Sequence, residues 1–186
     1  MTSPILFLDF DDVVNTFASR NAYRSNKSAL GYLKRTDVYV DGIFYPVNWS
    51  AELVMKMNAA KSDFGFTWLW LTTWKSNAVN YVDPKVGTRS DGFIDWDADG
   101  GMDSRTPSDV VSDTRDSRKY AALLAHLANN PAPFVWIDDS ATLKYNKDDF
   151  VGDLDVPHLV ITPDAKFGML RHDLDAMVSF FASVSA

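Results

Sequence analysis

The chain has 186 residues, of which 46% are hydrophobic and 23% charged, and its formal net charge at pH 7 is −7. This composition is typical of one globular domain, and the negative charge argues against broad nonspecific binding to nucleic acid while leaving room for a local basic groove. The chain has no cysteine, which excludes disulfides and thiolate metal sites, so a metal ion would be held by oxygen or histidine. The apolar run before Asp9 is too short for a signal peptide or a membrane span, and no other stretch reaches membrane length. We therefore expect a cytoplasmic protein with no membrane partner.

Four short, continuous apolar runs predict buried strands, at residues 5–8, 67–71, 134–137 and 158–161. Helical patterns lie between and after them, near residues 51–61, 77–82, 117–130 and 170–184. Strands that alternate with helices predict an α/β fold, with a Rossmann-like parallel sheet and helices on both of its faces.

Two insertions interrupt this pattern. Within residues 15–48, the pair Asp41-Gly42 stands between two β-rich runs and predicts a hairpin, which we expect to act as a small flap. Residues 83–116 are rich in glycine, proline and aspartate and predict an irregular acidic insertion. Neither insertion is long enough for a large cap domain, so the sequence predicts a single domain over residues 1–186.

A basic cluster follows the first predicted strand and extends into the hairpin region. It consists of Arg20, Arg24, Lys27, Lys34 and Arg35. Two interpretations are open: the cluster attracts a phosphorylated substrate, or it is a solvated surface.

Polar side chains stand at the carboxyl ends of three predicted strands. Asp9 ends the first strand and Asp11 follows two positions later, where both can face the crevice in which open α/β sheets bind ligands. Burying like charges side by side is costly unless a cation offsets them, so the pair suggests a cation site, with a plain acidic turn as the alternative. Thr72 ends the second strand, and the pair Asp138-Asp139 ends the third.

These landmarks resemble, in their order and spacing, the haloacid dehalogenase-like (HAD) superfamily of phosphohydrolases. The resemblance is carried by the segment 6–11 with its Asp-x-Asp, the segment 69–72 ending in threonine, the helix-start lysine Lys119, and the segment 135–139 ending in paired aspartates.

A closer similarity is to small HAD domains linked with RNA repair in bacteria and phages, and a phage-encoded member would act in the host cytoplasm. Segments 70–74, 136–139, 162–164 and 168–170 carry this similarity. The chain departs from the subfamily pattern at Asp12, where glycine is often found, and at Met169, where leucine is usual. The change at Asp12 leaves the geometry of that turn open.

The resemblance implies a phosphohydrolase that works through an aspartyl-phosphate intermediate. Asp9 would be the nucleophile and Asp11 the general acid and base. Thr72 would donate a hydrogen bond to the phosphate, and Lys119 would neutralise charge on the phosphoryl oxygens and on the nucleophile.

The resemblance also implies Mg²⁺, held by Asp9, the backbone carbonyl of Asp11, and Asp138 or Asp139, with Asp139 slightly favoured as the direct ligand. A small flap leaves a site open to bulky substrates. The expected partner is therefore a phosphorylated substrate such as a nucleotide or a polynucleotide end, and no obligate protein partner is evident.

Several alternatives stay open. Thr72 is also a candidate helix N-cap, with Thr73 as the rival hydroxyl, and Lys119 also fits a solvated helix position. Trp74 either stacks on a substrate base or sugar or fills the core or its rim. For the chain as a whole, the alternatives are a phosphatase of small metabolites or mononucleotides and a non-catalytic HAD-like module that binds phosphate.

Overall fold

The computed structural model of the chain describes residues 2–96, 115–141 and 156–185. In chain order its strands are β1 Ile5–Leu8, β2 Leu33–Val40, β3 Ile43–Ser50, β4 Thr67–Trp70, β5 Gly92–Phe93, β6 Phe134–Ile137 and β7 His158–Ile161. Its helices are α1 Arg20–Ser25, α2 Ala51–Phe64, α3 Asp83–Val86, α4 Arg115–Asn129 and α5 Arg171–Val184, and a π-helical turn, Ala78–Val82, leads into α3.

Five strands form one parallel sheet in the order β5-β4-β1-β6-β7, with β1 at its centre. Side chains of β1 point alternately to the two faces. Leu6 and Leu8 pack in the core shared with α2 and α5, whereas Ile5 and Phe7 pack in the core shared with α4. The predicted α/β fold, with a parallel sheet and helices on both faces, is therefore confirmed. Within the described residues, the helices lack the combination of length and apolar character that a membrane span requires.

The structure adds two elements where the sequence predicts an irregular insertion. Helix α3 continues the π-helical turn, and β5 pairs with Leu69 and Trp70 at the edge of the sheet. A strand of two residues carries no period that a sequence pattern could reveal, which is why the sequence predicted one strand fewer in this sheet. Residues 97–114 of that insertion lie outside the described part of the chain.

Strands β2 and β3 form the predicted antiparallel hairpin, which pairs eight residues of each strand, from Leu33 with Ser50 to Val40 with Ile43. Asp41 and Gly42 both have positive φ at its turn (49° and 85°), as hairpin turns with two central residues require. One face of the hairpin is buried through Val38, Val40 and Val47. Among the described residues no large cap accompanies this hairpin, and the assignment of residues 15–48 to a flap stays a prediction.

The loop after β1 is fastened by the C-terminal part of the chain. Backbone N–H groups of Val14 and Asn15 donate to the carbonyl of Phe10 (2.9 and 2.8 Å), and the N–H of Met169 donates to the carbonyl of Val13 (2.8 Å). Gly168 has φ 66°, and a Cβ atom there would lie 2.5 Å from the oxygen of Val13. The close contact between the two loops therefore requires glycine at position 168.

We expect Gly168→Ala to lower the free energy of unfolding more than Gly65→Ala. Gly65 has nearly the same φ, 65°, but a Cβ there meets nothing within 4 Å. Both variants carry the cost of left-handed alanine, about 1–2 kcal/mol, and only Gly168→Ala adds an overlap worth roughly 1–3 kcal/mol. Urea unfolding of both variants measures the difference, and equal losses would contradict the proposed contact.

Candidate active site

The parallel register of the central strands brings three polar strand ends together. The N–H of Asp9 donates to the carbonyl of Ile137 (2.9 Å), and that of Leu71 donates to the carbonyl of Leu8 (2.8 Å). Asp9 therefore lies between Asp138, which follows β6, and Thr72, which follows β4. All three side chains are buried. Parallel strands end at the same edge of a sheet, so β1, β4 and β6 place these groups in one crevice.

Lys119, on helix α4, contacts two of these carboxylates. Its Nζ lies 2.5 Å from Oδ2 of Asp9 and 2.9 Å from Oδ2 of Asp138, and the residue is only 4% exposed. The interpretation of Lys119 as a solvated helix residue is therefore wrong. Helix α4 packs through Leu123 and Leu127 against the sheet face opposite α2, and this packing carries the lysine into the crevice.

Each carboxylate in this group is further held by its own loop. Oδ1 of Asp9 accepts the N–H of Phe10 (2.7 Å). Oδ1 of Asp138 accepts both the N–H and the hydroxyl of Ser140 (3.0 and 2.6 Å). With Lys119 on Oδ2, both oxygens of Asp138 have donors, whereas within the described residues the Asp139 carboxylate has a hydrogen bond only from its own backbone.

Three carboxylates of this group could together hold a metal ion. Asp9, Asp138 and Asp139 each offer a carboxylate oxygen, and these oxygens lie within 4.8 Å of one another. Mg²⁺ is bound by oxygen ligands of this kind. We call Asp9, Asp138, Asp139 and Lys119 the acidic site. Its three negative charges and one positive charge give a net charge of −2, which a divalent cation would neutralise.

Burial makes that negative charge costly. Burial raises the pKa of Asp9 above its usual range, with Lys119 opposing the shift and Asp138 adding to it. Burial, followed by the charges of Asp138 and Asp12, raises the pKa of Asp139 to about 6. Burial alone would lower the pKa of Lys119, but Asp9 and then Asp138 outweigh it and raise that pKa. Lys119 therefore stays charged, and the carboxylates favour a further cation.

Asp11 stands apart from the acidic site, and both of its oxygens are held. Oδ1 accepts a hydrogen bond from the side-chain amide of Asn15 (2.7 Å), and Oδ2 accepts one from the indole N–H of Trp74 (2.8 Å). The ring of Trp74 makes edge contacts with Phe10 and Tyr45, at 5.6 and 5.2 Å between centroids. Trp74 thus lies at the rim of the core and orients a carboxylate, a contact that neither sequence interpretation included.

The geometry of the turn after the Asp-x-Asp motif explains how aspartate can stand at position 12, where similar small HAD domains often have glycine. Asp12 has φ 57°, in the left-handed region that glycine adopts most easily and that aspartate tolerates better than most residues. Its N–H donates to the carbonyl of Asn15 (2.8 Å), which closes the turn. Aspartate at this position therefore preserves the turn that glycine would make.

Comparison with known protein families places the chain in a described family. The model of the HAD domain in Swiss Army Knife RNA repair proteins matches residues 5–173, which is most of the chain. The chain belongs to this family. Membership supports a HAD-type phosphohydrolase and confirms the resemblance seen in the sequence. Neither the curated proteins nor the solved structures give a match.

Thr72, which we assign from the sequence to the HAD threonine, is fully buried, whereas its rival Thr73 is exposed. The Thr72 hydroxyl accepts a long hydrogen bond from the N–H of Trp74 (3.4 Å), so it also contributes to the turn after β4. The Thr72 carbonyl accepts the indole N–H of Trp96 (3.3 Å). The ring of Trp96 lies under two cations, Lys75 and Arg118, at 5.1 and 5.7 Å.

Three residues that contact the candidate site were not predicted from the sequence: Asn15, Ser140 and Trp96. The residue types of Asn15 and Ser140 did not indicate a functional role, since asparagine and serine are common in loops. Their spacing to Asp11 and Asp138, four and two residues, was a usable signal for local side-chain hydrogen bonds. Trp96 had no such signal, because it reaches Thr72 across 24 positions of the chain.

We expect Lys119→Met to lower the free energy of unfolding by roughly 3–5 kcal/mol in EDTA, since it leaves buried carboxylates without their cation. Added Mg²⁺ should recover part of that loss, because it supplies positive charge at the same place. Lys56→Met is the control: Lys56 is a surface residue 3.9 Å from Glu52, and its removal should change stability by at most about 0.5 kcal/mol. Urea unfolding with and without Mg²⁺ tests both points. A Lys119→Met loss as small as that of the control would contradict the ion pairs.

Proposed function

We propose that this HAD domain is a Mg²⁺-dependent phosphohydrolase that acts through an aspartyl-phosphate on Asp9 and removes a terminal phosphate from a nucleic acid. The observation that carries the proposal is the acidic site, in which a buried nucleophile candidate, a buried lysine and two further carboxylates meet at the carboxyl edge of the sheet.

Asp9 is held for attack. The N–H of Phe10 fixes one of its oxygens and Lys119 the other, so the carboxylate has little freedom to rotate. In the first step a carboxylate oxygen of Asp9 bonds to phosphorus as the ester P–O bond breaks. In the second step water attacks phosphorus, the bond between phosphorus and Asp9 breaks, and inorganic phosphate leaves with the carboxylate restored.

Asp11 is suited to move the protons of both steps. It gives a proton to the oxygen of the leaving alcohol in the first step and takes one from the attacking water in the second. Asn15 and Trp74 each hold one of its oxygens, so the carboxyl group keeps one orientation. Thr72 would donate its hydroxyl hydrogen to a phosphoryl oxygen. This role is supported by its hydrogen bonding, since among the described residues the hydroxyl only accepts a bond, from the N–H of Trp74.

Mg²⁺, when bound, would reduce the repulsion between an anionic nucleophile and an anionic phosphate. Asp9 and Asp139 would be its direct side-chain ligands. The family resemblance implies Asp9, and Asp139 is favoured over Asp138 because Ser140 and Lys119 already donate to both oxygens of Asp138. The backbone carbonyl of Asp11 completes the ligand set that the family resemblance implies. Lys119 would contact phosphoryl oxygens as well as the nucleophile and neutralise charge as it develops.

The nucleic-acid substrate is supported by the family, whose description places it in RNA repair proteins. A small hairpin in place of a large cap also suits a bulky substrate. Mononucleotides, small phosphorylated metabolites and 5′- or 3′-phosphorylated oligonucleotides form the substrate panel that decides this point.

We expect hydrolysis of an aryl phosphate to require Mg²⁺, to stop in EDTA, and to fall at least ~10³-fold in Asp9→Asn, which removes the nucleophile. Asp63→Asn, an exposed residue on α2, is the matched control and should retain full activity. Mass spectrometry of the acid-quenched enzyme should find a phosphoryl group on the peptide that contains Asp9. A folded protein with no turnover on the whole panel would instead support a non-catalytic phosphate-binding module.

Trp74→Phe should lower kcat about 10-fold with little change in KM, because it removes the N–H donor to Asp11 while keeping a ring beside Phe10 and Tyr45. Trp68→Phe is the control. Trp68 is fully buried, and its indole N–H has no hydrogen-bond partner in the described structure, so kcat should stay at the wild-type value. Equal effects of the two changes on kcat would show that the hydrogen bond to Asp11 has no part in catalysis.

A further inference from the structure

The exposed apolar side chains of this domain are concentrated on one segment. Eight large apolar side chains are exposed in the described residues, and six of them lie between residues 17 and 45. These six are Phe17, Tyr32, Tyr39, Ile43, Phe44 and Tyr45. Five of the six are aromatic. Scattered exposed apolar residues are ordinary, but an aromatic cluster on one segment is characteristic of a binding surface.

The same segment is basic within an acidic chain. Residues 16–50 contain five Lys or Arg and two Asp, a net charge of +3, and since the whole chain carries −7, the remaining residues carry −10. Aromatic side chains combined with basic ones match a single-stranded polynucleotide, whose bases stack on rings and whose phosphates attract cations. Binding of a hydrophobic protein partner would not require this segment to be positively charged while the rest of the chain is negatively charged.

On the hairpin itself, Tyr39 and Phe44 form an exposed ring pair on the outward face. They are directly opposed in the β2–β3 register, and their ring centroids are 4.7 Å apart. Arg35 lies on the same face as Tyr39, because strand side chains alternate with a period of two, and it is exposed. Asp37 lies between Arg35 and Tyr39 on that face and is the acidic neighbour that a polynucleotide would meet.

The base of the hairpin is attached to the candidate active site. The N–H of Asn48 donates to the side-chain oxygen of Asn15 (2.9 Å), whose amide in turn donates to Asp11 (2.7 Å). Phe44 is four residues from Asn48 along β3, which is about 14 Å at ~3.4 Å per residue. The ring pair is therefore beyond the reach of a terminal nucleotide bound in the site, and within reach of nucleotides further along a strand.

We propose that the outward face of the hairpin, marked by Tyr39, Phe44 and Arg35, binds the single-stranded part of a polynucleotide whose terminal phosphate enters the acidic site. This inference rests on the proposed function, and it identifies the surface that distinguishes a polynucleotide end from a mononucleotide.

The test measures binding separately from turnover. Fluorescence anisotropy in EDTA gives the Kd of wild type and of the double variant Tyr39→Ala/Phe44→Ala for phosphorylated single-stranded 10-mers of RNA and of DNA. We expect the double variant to bind at least about 10-fold more weakly, since base stacking on each ring contributes substantially. The control is Met55→Ala/Tyr81→Ala, which removes the two exposed apolar side chains outside the segment and should leave Kd unchanged.

Charge variants on the same face should move Kd in opposite directions. Arg35→Gln should weaken binding and Asp37→Asn should strengthen it, and added salt should reduce both differences. A duplex of the same length should bind more weakly than the single strand, because its bases are not free to stack. The 10-mer with the lower Kd, RNA or DNA, identifies the type of nucleic acid that this surface prefers.

Turnover distinguishes failure of this inference from failure of the proposed function. In the double variant, the ratio of kcat/KM for the phosphorylated 10-mer to that for the aryl phosphate should fall about 10-fold or more. If the wild type hydrolyses the aryl phosphate but binds the 10-mer and a mononucleotide with equal Kd, the inference about the hairpin is overturned and the proposed function is not. Hairpin-dependent binding without turnover of any phosphate would overturn the proposed function and leave the binding surface intact.

Sedimentation of the same variants tests the competing occupant of this face, a second copy of the chain. A wild-type dimer that becomes a monomer in Tyr39→Ala/Phe44→Ala, with no change in affinity for the 10-mer, would assign the ring pair to self-association and refute polynucleotide binding.

Discussion

The contact of the Lys119 ammonium with Asp9 and Asp138 is the interaction on which this structure depends. It requires β1 and β6 to be neighbours, so that two strand ends present their carboxylates side by side, and it requires α4 to be packed closely enough to bury a lysine. Buried charges are tolerated only when they are paired and hydrogen-bonded. The ion pairs thus couple the sheet order to the chemistry: a different strand order would leave each of these charges without its partner.

The lysine does not neutralise the group completely. Asp139 adds a third carboxylate, and its raised pKa reflects burial and the neighbouring negative charges. This residual charge gives a physical reason to expect a divalent cation. A bound cation would also remove the repulsion between the carboxylates and an incoming anion, since the cation and Lys119 together would supply positive charge where the proposed phosphoryl group would bind.

The loop with Asp11 is held from three directions, which explains how a short turn keeps one geometry. Asn15 holds it from within, Trp74 approaches from the end of β4, and Gly168 packs against it from the C-terminal part of the chain. The hairpin shares in this arrangement, since Tyr45 contacts Trp74 and the backbone of Asn48 contacts Asn15. Its inner face is therefore committed to the core and to the site, which leaves the outward face, with Tyr39, Phe44 and Arg35, available for a partner.

The sequence by itself determined the strands of the central sheet other than β5, the helices on its faces, the hairpin turn, and the strand-end residues Asp9, Thr72 and Asp138 as candidates. These features depend on local patterns: continuous apolar runs, a helical period, an Asp-Gly turn, and polar groups directly after a strand. The tertiary structure alone decided that Lys119 is buried, that Trp74 binds Asp11, and that β5 extends the sheet. Each of these depends on groups far apart in the chain, 110 positions in the case of Lys119 and Asp9, whose approach is decided by packing of the whole core and leaves no local pattern in the sequence.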